Sequence, residues 1–183
     1  METAKCAPEP RYSQLAPPPT LPTMEYLHLM VSTPSMKVVT AEVDDILPWL
    51  TLAGEVEHLF GPMPGLAAIL ARKVAQKRAY CVHHLPDRLA GAMLLGGAEG
   101  QYWIRWLAVS LDCRNLGVGT ALVETALKTF PSGSMVYVDT FADDTKDGKA
   151  ARGLYVACGF TPVSLVCDGG IERLRLCRKA LLA

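Results

Sequence analysis

The chain has 183 residues, half of them apolar and 20% charged, which is enough for one packed domain and excludes global disorder. Lys+Arg and Asp+Glu are equal at 18 each, so no net field favours a polyanion such as nucleic acid, although a local basic pocket is compatible with that balance. The six cysteines (Cys6, Cys81, Cys113, Cys158, Cys167 and Cys177) stand singly with no secretory pattern before them, and no apolar run nears the roughly 20 residues of a membrane span; these features point to a reduced, cytoplasmic setting without a membrane partner.

Residues 1–35 are interrupted by Pro8, Pro10, Pro17, Pro18, Pro19, Pro22 and Pro34, and read as a flexible leader ahead of a domain over 36–183. Lys37–Thr40 has strand character. Thr40 is placed to cap a helix whose first turn carries Glu42, Asp44 and Asp45, acids that complement the helix dipole, with Ile46, Leu47, Trp49 and Leu50 as its apolar face. The Gly61–Gly65 stretch forces a loop, and Leu66, Leu70 and Val74 then recur at helical spacing. Ala79–Val82, Leu89–Leu95 and Tyr102–Val109, separated by turns at Pro86–Asp87 and Gly96–Gly100, read as three antiparallel strands. A glycine loop follows, then a helix with Val118, Leu122, Ala126 and Phe130 on one face, a buried strand at Met135–Val138, a helix over Lys149–Ala157, and two strands around Pro162–Val166 and Arg173–Cys177. The whole is a mixed α/β order of seven strands and four helices.

The loop Arg114, Asn115, Leu116, Gly117, Val118, Gly119, Thr120 lies between a strand and a helix, where successive backbone N–H groups can point at a phosphate. Glycine at 117 and 119 lets an anion reach those amides. It lacks the Lys-Ser/Thr ending of a P-loop and the glycine spacing of a dinucleotide fingerprint, and a plain glycine turn is the other reading of these residues taken alone.

Leu107-Ala108-Val109, four residues, then Arg114-x-x-Gly117-x-Gly119 resembles the acetyl-CoA signature R/Q-x-x-G-x-G/A of the GNAT acetyltransferase superfamily. Ala151-Arg152-Gly153-Leu154-Tyr155-Val156-Ala157-Cys158-Gly159-Phe160 is similar to that family's second motif, A-x-x-L-Y-x-x-x-G-F. The resemblance spans Met36 to the C-terminus. It implies a GNAT-like, mostly antiparallel sheet with a strand pair splayed at an acetyl-CoA cleft, Leu107–Val109 holding the pantetheine arm, and the amides of Asn115–Thr120 holding the pyrophosphate. Tyr155 would protonate the departing thiolate; packing beneath the last hairpin is the alternative for this phenol. Gly148 departs from the pattern, because many relatives carry asparagine there, so one auxiliary cofactor contact is lost.

The implied activity is direct N-acetyl transfer from acetyl-CoA to a primary amine of a small molecule or a protein. A non-catalytic acyl-CoA-binding sensor is the competing reading. Glu55, Glu57 and His58 stand in the region that in this superfamily walls the acceptor pocket, and Asp139 follows the central strand; each is a candidate substrate-binding group and each is also compatible with an ordinary polar surface. Trp103, Arg105 and Trp106 are divided by strand alternation between the core and the pocket. Asp143, Asp144 and Asp147 read as solvated loop charges. His83, His84 and Asp87 form no metal-ligand pattern, so no metal is expected. Cys113 and Cys158 lack an adjacent base that would make either a nucleophile. Leu174, Leu176, Leu181 and Leu182 serve either a homodimer contact or the core.

Overall fold

The computed structural model describes residues 37–168 and 170–180; the leader, Leu181 and Leu182 lie outside them, as do the expectations placed there. Seven strands form one sheet: β1 (Val39–Thr40), β2 (Ala79–Leu85), β3 (Arg88–Ala98), β4 (Gln101–Val109), β5 (Met135–Phe141), β6 (Thr161–Asp168) and β7 (Ile171–Lys179). Their order is β1-β2-β3-β4-β5-β7-β6, and every neighbouring pair is antiparallel except β4 and β5. Five helices flank the sheet: α1 (Ile46–Glu55), α2 (Glu57–Phe60), α3 (Leu66–Ala75), α4 (Val118–Thr129) and α5 (Lys146–Ala157).

Alternation along the strands feeds two cores. On one face Val82, Met93, Ile104, Val136 and Leu176 meet Leu122, Val123 and Leu127 of α4, Tyr155 of α5 and Cys158, which follows its last turn. On the other, Cys81, Leu94 and Trp106 meet Trp49 and Leu52 of α1 and Leu70 of α3. Leu122 and Leu70 are wholly buried, and each such side chain contributes about 1.5–3 kcal/mol of transfer free energy. Leu176 is buried in the first core and Leu174 packs against it, so both serve the core.

The first helix differs from its expected form. Thr40 belongs to β1, and Glu42 instead caps a 3-10 turn at Val43–Asp45, with the Glu42 and Asp45 side chains bonding reciprocally to each other's backbone N–H. α1 therefore starts at Ile46 and turns Trp49, Leu52 and Ala53 inward, leaving Leu47 73% exposed. The one-turn helix α2 is too short to show any periodicity in the sequence.

Candidate active site

The centre of the sheet is split. β4 and β5 pair in parallel only where Gln101, Tyr102 and Trp103 face Met135, Val136 and Tyr137. Past Trp103, β4 carries one extra residue: Trp106 faces Leu94 and Ile104 faces Leu95, so Arg105 is a bulge. A bulge increases local twist and bends its strand. Here it turns Ile104–Val109 away from β5, which continues paired with β7 as far as Phe141. The edge of β4 that faces β5 is left with backbone N–H and C=O groups outside any ladder, and a cleft of about 400 Å³ opens between the two strands. Leu107, Ala108 and Val109 line it, together with Val138, Asp139, Thr140 and Phe141 from β5.

One end of this cleft is the loop that follows β4. A 3-10 turn at Leu111–Cys113 leads into Arg114, and the chain then passes through left-handed conformations at Asn115 (φ 62°) and Gly117 (φ 83°) before α4 begins at Val118. Asparagine and glycine are the residues that adopt this region at least cost. No side chain caps α4, so its first-turn amides have no intrahelical acceptor and carry the positive end of the helix dipole. Gly117, Val118, Gly119 and Thr120 all line the cleft. The arrangement fits a pyrophosphate, with uncapped first-turn amides and two glycines lining the cleft; a Cβ on Gly119 would lie 3.0 Å from the Leu154 Cδ2 atom, so glycine there also lets α4 pack close to α5.

Two residues outside the signature set this geometry. Gly91 of β3 lies under α4, and a Cβ there would come within 2.7 Å of Val118 Cγ1 and 3.0 Å of the Ala108 carbonyl oxygen, so its lack of a side chain lets the helix N-terminus approach the sheet. Asp147 at the start of α5 accepts a hydrogen bond from the Arg114 guanidinium at 2.6 Å across the cleft mouth. Asp147 is thus an ion-pair partner that lines the cleft, not a solvated loop charge. Asp144 pairs with Arg152, and Asp143 accepts from the Thr145 hydroxyl and backbone N–H. That Asp143–Thr145 turn explains the departure at Gly148: a Cβ there would meet the Asp143 carbonyl at 2.8 Å and Thr145 Oγ1 at 3.1 Å.

Tyr155 reaches the cleft from α5 and is 5% exposed, packed edge-on against Phe160 with ring centroids 5.6 Å apart. Burial holds its phenol above the ordinary tyrosine range, so it remains protonated. Its hydroxyl has no hydrogen-bond partner among the described residues. Cys113 also lines the cleft, and burial raises its thiol, as it does that of Cys158, which leaves neither as a thiolate nucleophile.

The candidate acceptor residues are distributed differently. Asp139 lines the cleft, with both carboxylate oxygens accepting from Arg175 at 2.8 Å, and the Arg175 guanidinium lies 4.7 Å over the Trp103 ring. Trp103 itself stacks on Tyr137, while Trp106 and Arg105 are in the cleft wall. Glu55 does not line the cleft: it accepts from Arg88 at 3.2 Å and from the Ser110 hydroxyl at 2.8 Å. Glu57 is exposed on α2, and His58 borders a smaller recess beside Phe141, Asp143 and Gly148. The wall that this segment gives to the cleft is Val56, Leu59 and Phe60, with Phe60 touching Trp106 and Phe141 at 5.7 Å. The spacing of 56, 59 and 60 was the available signal for that apolar face.

Residues 75–162 match the family described as acetyltransferase (GNAT) domain. Among solved structures, a GNAT-family acetyltransferase from Bacillus cereus is similar at 16% identity and TM-score 0.66, with 80% of this chain and 98% of that one covered. Ard1 from Thermoplasma volcanium is similar at 15% identity and TM-score 0.63, covering 80% and 98%. The ribosomal-protein-S18-alanine N-acetyltransferase from Escherichia coli is similar at 16% identity and TM-score 0.61, covering 80% and 95%. No curated protein matches the chain in sequence.

Proposed function

We propose that this chain, a member of the GNAT acetyltransferase superfamily, transfers an acetyl group from acetyl-CoA directly to a primary amine of a small molecule or protein. The family generally uses acetyl-CoA as its co-substrate. The observation that carries the reading is that one cleft joins an uncapped helix N-terminus behind Gly117 to the protonated hydroxyl of Tyr155, along a strand edge that has no partner.

Acetyl-CoA supplies an activated acyl carbon and a sulfur leaving group. In our assignment the amides of Asn115–Thr120 bind the pyrophosphate, each charge-assisted hydrogen bond contributing about 1.5–3 kcal/mol. The free edge of Leu107–Val109 pairs with the amides of the pantetheine arm, as a further strand would. An incoming neutral amine forms the new C–N bond and releases one proton to solvent, while the C–S bond breaks, the Tyr155 O–H protonates the sulfur, and the phenolate regains a proton from solvent. Val56, Leu59, Phe60 and the Arg175-held Asp139 wall the acceptor side, and the Asp139–Arg175 pair orients a polar substrate there. Glu55, whose oxygens are both engaged, has a structural role, and the exposed Glu57 and His58 stand at the entrance.

The test pairs binding with turnover. Acetyl-CoA should raise Tm by an amount that corresponds to about 2.7 kcal/mol at a hundredfold excess over Kd, and Gly119→Trp should remove that response, with circular dichroism checking its fold because its Cβ alone comes 3.0 Å from Leu154 Cδ2. Tyr155→Phe should keep the binding shift and lose about 10²-fold or more in thiol release with an accepted amine. Absence of any response of the wild-type protein to acetyl-CoA or CoA would overturn the assignment.

A further inference from the structure

Beside the β1 edge of the sheet, away from the central cleft, three side chains of metal-binding type converge. Asp45 comes from the 3-10 turn that precedes α1, and Cys81 and His83 come from the same side of β2, 36 residues further along the chain in the case of Cys81. Cys81 Sγ lies 3.6 Å from Asp45 Oδ2 and 3.7 Å from His83 Nε2, His83 Nε2 lies 3.4 Å from the other carboxylate oxygen, Oδ1, and one ligand atom from each residue falls within 4.8 Å of the other two. We propose that Asp45, Cys81 and His83 form a zinc site.

The donor set can supply three corners of a coordination tetrahedron. Zinc bonds of about 2.3 Å to sulfur and about 2.0–2.1 Å to nitrogen and oxygen, set at tetrahedral angles, place the ligand atoms about 3.3–3.6 Å apart. The Cys81–His83 edge of 3.7 Å is close to that range, and the Asp45 carboxylate, which now offers a different oxygen to each neighbour, completes the set by turning one oxygen toward the ion. The ligands are also held. Asp45 is 7% exposed, and Oδ2 accepts the Glu42 backbone N–H at 2.8 Å, which aims the carboxylate at β2. Cys81 is wholly buried between β1 and β3, where Val39 and Ala92 are its register partners.

A thiolate, an imidazole and a carboxylate together suit zinc and exclude the hard cations calcium and magnesium, which take oxygen ligands. The His83 side chain is 43% exposed, so the fourth corner opens to solvent and takes a water molecule. Binding forms the Zn–S bond as the Cys81 thiol proton leaves to solvent, with the imidazole neutral. None of the three residues lines the acetyl-transfer cleft, so the ion clips the turn that opens α1 to β2 and takes no part in the transfer reaction. The alternative is a network held by protons alone, in which Cys81 S–H and His83 Nε2–H both donate to Asp45.

The experiment uses the full chain under reducing conditions. The protein produced with zinc in the medium is dialysed against a weak chelator and its metal content measured, and the metal-free protein is then titrated with cobalt(II) alone. We expect about one equivalent of zinc per chain, a rise in Tm on zinc addition, and cobalt spectra with a thiolate charge-transfer band and intense visible bands of a tetrahedral site. Cys81→Ser should abolish the charge-transfer band. His83→Gln, at a half-exposed position that does not endanger the fold, should weaken zinc binding by more than about tenfold. Absence of stoichiometric metal, or a cobalt spectrum unchanged in Cys81→Ser, would overturn the site in favour of the proton-held network. A zinc affinity unchanged in His83→Gln would do the same.

Discussion

Gly91→Ala tests whether the spacing between β3 and α4 sets the pyrophosphate cradle. The added methyl would lie 2.7 Å from Val118 Cγ1, 3.0 Å from the Ala108 carbonyl oxygen and 3.3 Å from Leu122 Cδ1, against the roughly 3.5–4.0 Å at which carbon atoms attract. Val118 is 1% exposed and cannot swing into solvent, so the helix N-terminus must lift by a large fraction of an ångström. Overpacking of this kind costs about 1–3 kcal/mol, and the smaller backbone entropy loss of alanine in a strand offsets about 0.5–1 kcal/mol of it. The net loss, about 0.5–2 kcal/mol, corresponds to a fall in Tm of a few degrees. Because the lifted residues are those that carry the phosphate amides, acetyl-CoA affinity should fall by about tenfold or more as well. Val118→Ala removes the clashing Cγ1 along with Cγ2, so in the double variant the lost methyls make room for the one added at Gly91. Thermal unfolding of the four proteins should give a favourable coupling of at least about 1 kcal/mol, and calorimetric titration should show acetyl-CoA affinity partly regained. Gly91→Ala that is destabilised yet binds acetyl-CoA as the wild type does would refute the link between this glycine and the cradle.

Asp147→Asn should raise acetyl-CoA affinity several-fold by titration, because it removes a carboxylate from the cleft mouth and releases Arg114; the pair is about one-third exposed at each partner, so its loss should change stability by less than about 1 kcal/mol. An unchanged or weaker affinity would count against a gating role for the pair. Glu55→Ala should lower stability by about 1–3 kcal/mol, by leaving Arg88 and the Ser110 hydroxyl without their acceptor, while the amine KM stays the same; a raised amine KM without destabilisation would return Glu55 to the substrate pocket. Tyr155, whose phenol is raised by burial, contributes stability that is fully present below its unfolded pKa of about 10 and is lost as pH rises beyond it, at up to about 1.4 kcal/mol per pH unit. Urea unfolding between pH 9 and 11 should therefore show a steeper alkaline loss in the wild type than in Tyr155→Phe, and equal slopes would contradict the burial argument.

The glycine-loop end of the cleft was legible in the sequence because it is built from consecutive backbone. The loop from Arg114 to Thr120 is one unbroken strand-to-helix connection, and glycine spacing reports directly on amides that have no side chain in front of them. The acceptor side was less legible. Glu55, Glu57 and His58 were singled out by their chemistry, but Val56 leaves helical conformation (φ −110°, ψ 9°) and separates α1 from α2. That break changes the phase of the helical face, so the apolar Val56, Leu59 and Phe60 turn inward and the polar residues turn away. Partners remote in sequence completed the difference: Arg88 is 33 residues from Glu55, Ser110 is 55 residues away, and Asp147 is 33 from Arg114. The cluster of Asp45 with Cys81 and His83 was hidden for the same reason, since no local spacing rule joins a capping aspartate to a strand laid down a helical hairpin later.

This contrast has a mechanical consequence. The end of the cleft proposed to take the phosphates is fixed by main-chain geometry and by the close packing of α4 at Gly91 and Gly119, so surface substitutions that leave α4 seated should leave acetyl-CoA binding unchanged. The acceptor end is made of side chains on β4, β5, β7 and the short α2, held by one bidentate ion pair and by aromatic contacts among Trp106, Phe60 and Phe141. Changes there can alter the amine admitted without disturbing acetyl-CoA, and they separate experimentally as effects on the amine KM at constant acetyl-CoA Kd. The bulge at Arg105 is where the two ends meet: it opens the strand edge for one substrate and places Trp106 beside Phe60 in the wall for the other. A single-residue deletion there would restore a regular ladder, with Ile104 and Trp106 kept on the opposite faces they now occupy, and would remove the bend that opens the strand edge. Both binding functions should then fail together, which no substitution confined to either end is expected to produce.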